Sequence, residues 1–330
     1  MERVSWLDYG KCICMLMVIY SHTVYLSTGE INTFLGLMTP TRLLVFFFIS
    51  GYLTKVETFD FKKTMTSIVK KLLFPYFLFS SIIFIPKHLI HGTEISLLVM
   101  LYEILGGFSS WFVAALAVSK ITLAVCIRFT KNIAVIGLVC ALLSLCGFLI
   151  TEYANFPVPW YAHYGLISLV YLYAGILYKR YEYKLSNHKV LQAVLAVVLY
   201  TVCVCFDYFN GHTATFFYSM KAGDVSLLGV SAFFFLSFLG IWMMVSVVKL
   251  IHSGVNWMSY IGRNSLTYYY LNTGLLLVLI SLMQKIHLPY LGSEWFTIPL
   301  FLVVVGILTL ISKLILRYAP WMVGNFKTKK

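Results

Sequence analysis

The sequence predicts an all-α fold, a polytopic transmembrane helical bundle of about ten spans that forms a single domain over residues 1–330. Three observations lead there. Hydrophobic residues make up 60% of the chain and charged residues 11%, well below the roughly one quarter charged that is usual in soluble domains. Apolar runs of about 20 residues recur from end to end, and no polar stretch is long enough to build a separate soluble domain. Lysine and arginine collect in alternate connections between those runs, the mark of membrane orientation.

In chain order the apolar runs place spans at 10–28, 35–54, 70–87, 110–128, 132–151, 164–180, 189–207, 226–248, 263–283 and 296–317. The first is read as a retained span. No small-residue cleavage site follows it, and Asp8 sits where a leader peptide carries positive charge. The stretch 95–107 is too short to cross and contains Glu103, which suits an interfacial or re-entrant piece.

With the amino terminus inside, the inner loops take Lys55, Lys62, Lys63, Lys70, Lys71, Arg128, Lys131, Lys179, Arg180, Lys184, Lys189, Lys249 and Arg263. Lys313, Arg317, Lys327, Lys329 and Lys330 join them at the tail, whereas the outer loops receive only Lys87, Lys221 and Lys285. That bias of about 20 to 3 predicts both termini cytoplasmic. It also explains the net charge of +13 as orientation, so no nucleic-acid partner is expected. Seven cysteines fall in or beside apolar runs without a C-x-x-C pair, which points to neither disulfides nor a metal.

Ionisable residues inside spans are costly and mark functional sites, and here they are His22, Arg42 and Lys120. His22 follows Lys11 by 11 residues, about 16 Å and close to three helical turns. Both therefore share a face, with Asp8 nearby, in a stripe charged at the mouth and ending in imidazole. Arg42 precedes Lys55 by 13 residues, about 20 Å, so it reaches a height within about a turn of His22. Competing readings are a structural hydrogen bond between helices for His22, snorkelling for Arg42 and a buried acceptor for Lys120. The aromatic runs VFFFISGY and TYYYLN are read as packing or lipid-facing surface.

The stretch WLDYGKCICMLMVIYSH, residues 6–22, resembles the first helix of acyltransferase family 3 integral membrane proteins. The likeness is to the fucose 4-O-acetyltransferase-like, or polysaccharide O-acetyltransferase, branch. There a basic residue, often arginine, is followed by ten residues and then a histidine; here they are Lys11 and His22. RLLVFFFISGYL, KKLLFPYFLF, SSWFVAALAV, YLYAGILYKR and YIGRNSLTYYYLN are similar to later motifs of the family, in the same order. Members often carry histidine near the position of Asn272, a departure in this chain.

The resemblance implies transfer of an acyl group, usually acetyl, from cytoplasmic acetyl-CoA to a sugar hydroxyl of an envelope, capsular or exopolysaccharide glycan. The setting it implies is the bacterial inner or plasma membrane, with a glycan or lipid-linked sugar as acceptor, lipids as neighbours and a homo-oligomer left open. On this expectation His22 is the general base, with acyl-histidine chemistry as the alternative. Arg42 serves the oxyanion or orients the acceptor, and Asp8 pairs with Lys11. Lys11, Lys70, Lys71, Arg263, Asn264 and Ser265 are expected to hold the donor's phosphates, the last three at a helix start. Trp111, Asp207 and Asp224, with Tyr161 and His163, are candidate sugar contacts. The alternatives are a glycan exporter or flippase, for which no pair of broken helices speaks, and a non-catalytic subunit of a glycan assembly complex.

Overall fold

The computed structural model describes residues 4–29, 41–184, 188–209, 227–286 and 293–326. Every regular element among them is helical.

The first helix, α1 (Ser5–Thr28), is the hub of the bundle. It is buried along most of its length and packs against later helices near the carboxyl end of the chain. It stops at Gly29, where a φ of 78° lets the main-chain N–H return to the Tyr25 carbonyl. Helix α2 (Leu44–Tyr52) carries the FFF run into the core, with Phe46, Phe47 and Phe48 all buried. That run is packing surface and does not face lipid.

Helix α3 (Phe61–Ile68) begins at Asp60, whose carboxylate accepts the Lys63 N–H at 2.9 Å. It continues through a π-turn (Val69–Leu73) into α4 (Phe74–His91). Pro75 has no N–H for the Lys71 carbonyl four residues back, and the chain widens to a bond from the Phe74 N–H to the Val69 carbonyl. Next come α5 (Leu97–Leu105), α6 (Trp111–Phe129) and α7 (Ile133–Tyr153). With nine residues, α5 is too short to cross a membrane, as expected for 95–107.

The predicted span 164–180 is broken into α8 (Ala162–Ile167) and α9 (Leu169–Tyr181) at Ser168. Ser144 of α7 donates to the Ile167 carbonyl at 2.8 Å, satisfying a group exposed by the break. Helix α9 crosses α2 closely through two glycines. A Cβ on Gly51 would strike the Leu172 carbonyl, and one on Gly175 would strike that of Phe48. The chain then forms α10 (Lys189–Phe209), α11 (Leu227–Val248), α12 (Asn256–Arg263), α13 (Ser265–Lys285) and α14 (Glu294–Tyr318).

Among the described residues, seven helical stretches are long and apolar enough to cross a membrane. They lie in α3–α4, α6, α7, α10, α11, α13 and α14. Three expected spans are not among them, for separate reasons. Asp8, Lys11 and His22 dilute the apolar character of α1. Residues 35–40 of the second lie outside the described residues. The sixth is the broken pair α8 and α9. The protein is a multi-pass, all-helical membrane protein.

Candidate active site

Two cavities approach each other inside the bundle, and α13 lines both. One, of about 510 Å³, is rich in cations: Lys11 from α1, Lys71 from the π-turn, Lys120 from α6 and Arg263 from α12. The other, of about 310 Å³, is walled by Trp111, Tyr161, Tyr269 and Tyr270 and has His22 in its lining.

His22 is held in one orientation. Its Nδ1 lies 2.6 Å from Asn272 Oδ1. The Asn272 amide nitrogen donates to the main-chain carbonyls of Tyr269 and Tyr268, at 2.5 and 3.3 Å. Carbonyls only accept, so the nitrogen of this amide faces them and its oxygen faces the imidazole. His22 Nδ1 must therefore carry the proton and donate it, which leaves the lone pair on Nε2. Thr273 Oγ1 adds a donor to Asn272 Oδ1 at 3.3 Å and fixes the acceptor further. Asn272 is fully buried, so no water competes for these bonds.

Asp8 lies behind the lining of the cationic cavity and holds two of its cations. It is buried, and its two oxygens reach Lys11 Nζ at 3.2 Å and Arg263 Nε at 3.4 Å. The approach of α12 depends on Gly262, where a Cβ would strike the Asp8 carbonyl. Arg263 closes α12, and Ser265 opens α13 after the junction residue Asn264. The sequence reading had Arg263 itself at the helix start. The boundary falls later because the Asn264 N–H still bonds back to Tyr260 and Ile261. The first turn of α13, Ser265 to Thr267, lines the cavity and turns its positive dipole end toward it.

Aromatic rings separate the two cavities. Tyr270 lines both, stacked on Phe79 with ring centres 5.1 Å apart, and its hydroxyl donates to the Leu72 carbonyl at 3.3 Å. Phe112 faces the cationic side and Tyr269 the aromatic side, with ring centres 5.1 Å apart. At the rim of the aromatic cavity Lys87 pairs with Glu103 at 2.9 Å. Trp160 and Tyr161 hold φ of 56° and 46°, a rare conformation for bulky residues that tends to persist where surroundings over-determine it. A bond from Trp160 Nε1 to the Leu105 carbonyl, at 2.9 Å, is one such restraint. Burial and then the Glu103 charge push the Tyr161 phenol above its usual range, so it remains a neutral donor.

The residues expected from sequence are thus divided. Lys11 and His22 share α1 but line different cavities. Arg42 lines neither; it lies close enough to act on His22 and Cys14 through its charge. Lys71, Arg263, Asn264 and Ser265 meet in the cationic cavity, whereas Lys70 turns to a separate surface groove with Lys62 and Arg128. Trp111 and Tyr161 line the aromatic cavity, while His163 is buried against the Tyr164 ring. Asp224 lies outside the described residues, as does the side chain of Asp207.

Four contributors were not singled out for a role: Asn272, Thr273 and the tyrosines 269 and 270. Their signal is two polar residues within an apolar helix, each three positions after a tyrosine on the same face.

No curated protein and no solved structure matches the chain. The family described as Acyltransferase domain, acyltransferase family 3, matches residues 4–318. That match takes in α1 through α14, the aromatic cavity, and the lining of the cationic cavity apart from Val323 and Asn325. The chain belongs to this family of acyltransferases.

Proposed function

We propose that the protein is an O-acyltransferase that moves an acetyl group from cytoplasmic acetyl-CoA to a sugar hydroxyl of an envelope or capsular glycan. The observation that carries this reading is the fixed tautomer of His22, with a basic Nε2, in the lining of a cavity that shares Tyr270 with a cationic one. Ten spans with both termini in the cytoplasm fit the lysine and arginine bias and put the cationic cavity on the inner side. The setting is a bacterial plasma membrane.

The cationic cavity suits a polyphosphate, with Lys11, Lys71, Lys120 and Arg263 around the first turn of α13. The aromatic cavity suits a sugar, with flat rings for its apolar face and the hydroxyls of Ser80, Ser110 and Thr273 for its polar edge. His22 Nε2 takes the proton of the acceptor hydroxyl as its oxygen attacks the thioester carbonyl. The carbon–sulfur bond breaks, and the same proton passes to the departing thiolate, so the base is restored. Arg42 favours the developing oxyanion through its field.

The test is acyl transfer by detergent-purified protein supplied with acetyl-CoA or succinyl-CoA, with wild type beside His22→Ala. Turnover that disappears in the variant while donor binding remains is the expected result. Absence of donor binding in the wild type would overturn the reading and favour a glycan exporter.

A further inference from the structure

The cationic cavity holds two kinds of positive charge. Lys11 and Arg263 share the Asp8 carboxylate. Lys71 and Lys120 have neither an ion pair nor a hydrogen-bond partner among the described residues. Their charges repel each other within the cavity. Lys71 is exposed and Lys120 partly buried, so it is the ammonium of Lys120, at mid-helix and with no carboxylate to offset it, that is costly unless a ligand supplies the anion.

Position says which anion. Lys120 stands nine residues from each end of α6, about 13 Å from either, so it is the deepest cation of the cavity along that helix. Phe112, Leu116 and Lys120 follow at four-residue steps and all line the cavity, so one face of α6 runs from the aromatic partition down to the ammonium. Lys71, within the π-turn, lines the same cavity, whereas its neighbour Lys70 lines a separate groove. The wall between lysine level and partition, Phe46, Ile49, Phe112 and Leu116, is apolar. A ligand with a phosphate followed by a long uncharged arm fits this order of chemistry; a compact polyanion does not use the upper part.

We propose that Lys120, with the exposed Lys71 facing the same cavity, forms an anion subsite that binds the phosphate at the foot of a phosphopantetheine arm. Lys11 and Arg263, held on Asp8, then serve the donor's remaining phosphates. This rests on the acyl-CoA reading above, and adds a residue and a division of labour to it. The subsite makes the arm's own phosphate the main handle.

The experiment compares binding of 4′-phosphopantetheine, pantetheine and acetyl-CoA to purified full-length protein, as wild type, Lys120→Gln, Lys71→Gln and Lys120→Arg. Wild type is expected to bind 4′-phosphopantetheine at least ~10-fold more tightly than pantetheine. Each glutamine variant should erase that difference, and arginine should restore most of it. If the glutamine variants keep the preference while acetyl-CoA still binds, the subsite is wrong and the donor reading stands. If wild type binds none of the three, the donor reading falls and takes the subsite with it. The neutral variants remove a repulsive charge, so they are expected to fold; two independent positions guard against a local defect in either.

Discussion

Asn272 Oδ1 lies 2.6 Å from His22 Nδ1, a contact made across 250 residues of sequence between the first helix and α13. The bond orients the imidazole and decides which nitrogen is basic. In hydrolytic triads a carboxylate takes this place and also stabilises the imidazolium. A neutral amide supplies orientation and tautomer without the charge.

Asn272→Leu is therefore expected to lower kcat for acyl transfer by about 10²-fold or more while leaving donor KM near wild type. An apolar side chain of similar size fills the space and releases the ring to the wrong tautomer. Equal losses in kcat and in donor affinity would show instead that the bundle had shifted. Steady-state kinetics at varied donor concentration separates the two.

Asp8→Asn tests the mouth of the cationic cavity. The carboxylate is buried between Lys11 and a half-exposed Arg263, so its loss leaves two cations facing each other. Stability should fall by about 1–3 kcal/mol, less than for a fully buried pair because Arg263 reaches solvent. Polyphosphate binding should move the opposite way, tighter at low salt and more salt-sensitive, because the mouth gains a net positive charge. Thermal unfolding and binding titrations at two ionic strengths check both signs.

Gly262→Ala tests the approach of α12 to α1. The added methyl meets the Asp8 carbonyl, which belongs to the central helix and has little room to yield. A cost of about 1–3 kcal/mol in stability is expected, with weaker donor binding as Arg263 is carried away from Asp8. Gly274→Ala is the control. Its Cβ would sit at ordinary contact distance, 3.6 Å, from Ile83, so little change is expected.

The class of fold was legible because the membrane imposes length and polarity on every span. Constant helical rise predicts a similar height for His22 and Arg42, and the guanidinium lies close enough to act on the imidazole through its charge. What the linear pattern did not contain was rotation. Lys70 and Lys71 are adjacent basic residues, yet successive side chains of a helix point in different directions, and the two line different spaces. Tyr269 and Tyr270 are adjacent in an aromatic run, yet one side of that run packs and the other forms the partition. Asn272 departs from the family pattern, and its contact with His22 depends on how α13 crosses α1, which no local rule supplies.

Tyr270 offers the sharpest test of the two-cavity arrangement. It lines both spaces, it rests on Phe79 at an interplanar angle of 15°, and its hydroxyl makes one long bond of 3.3 Å to Leu72. On the proposed mechanism the acyl arm must pass this ring to reach His22, and water must not follow it. Tyr270→Ala removes the ring and joins the cavities. Acyl-CoA hydrolysis without an acceptor should rise several-fold, while transfer to the acceptor falls because water now competes for the thioester. Tyr270→Phe keeps the ring and loses only the weak hydroxyl bond, so it should behave like wild type. A rise in hydrolysis with Phe, or none with Ala, would show that the ring does not separate donor from acceptor. Release of free thiol, measured with and without acceptor, distinguishes these outcomes directly.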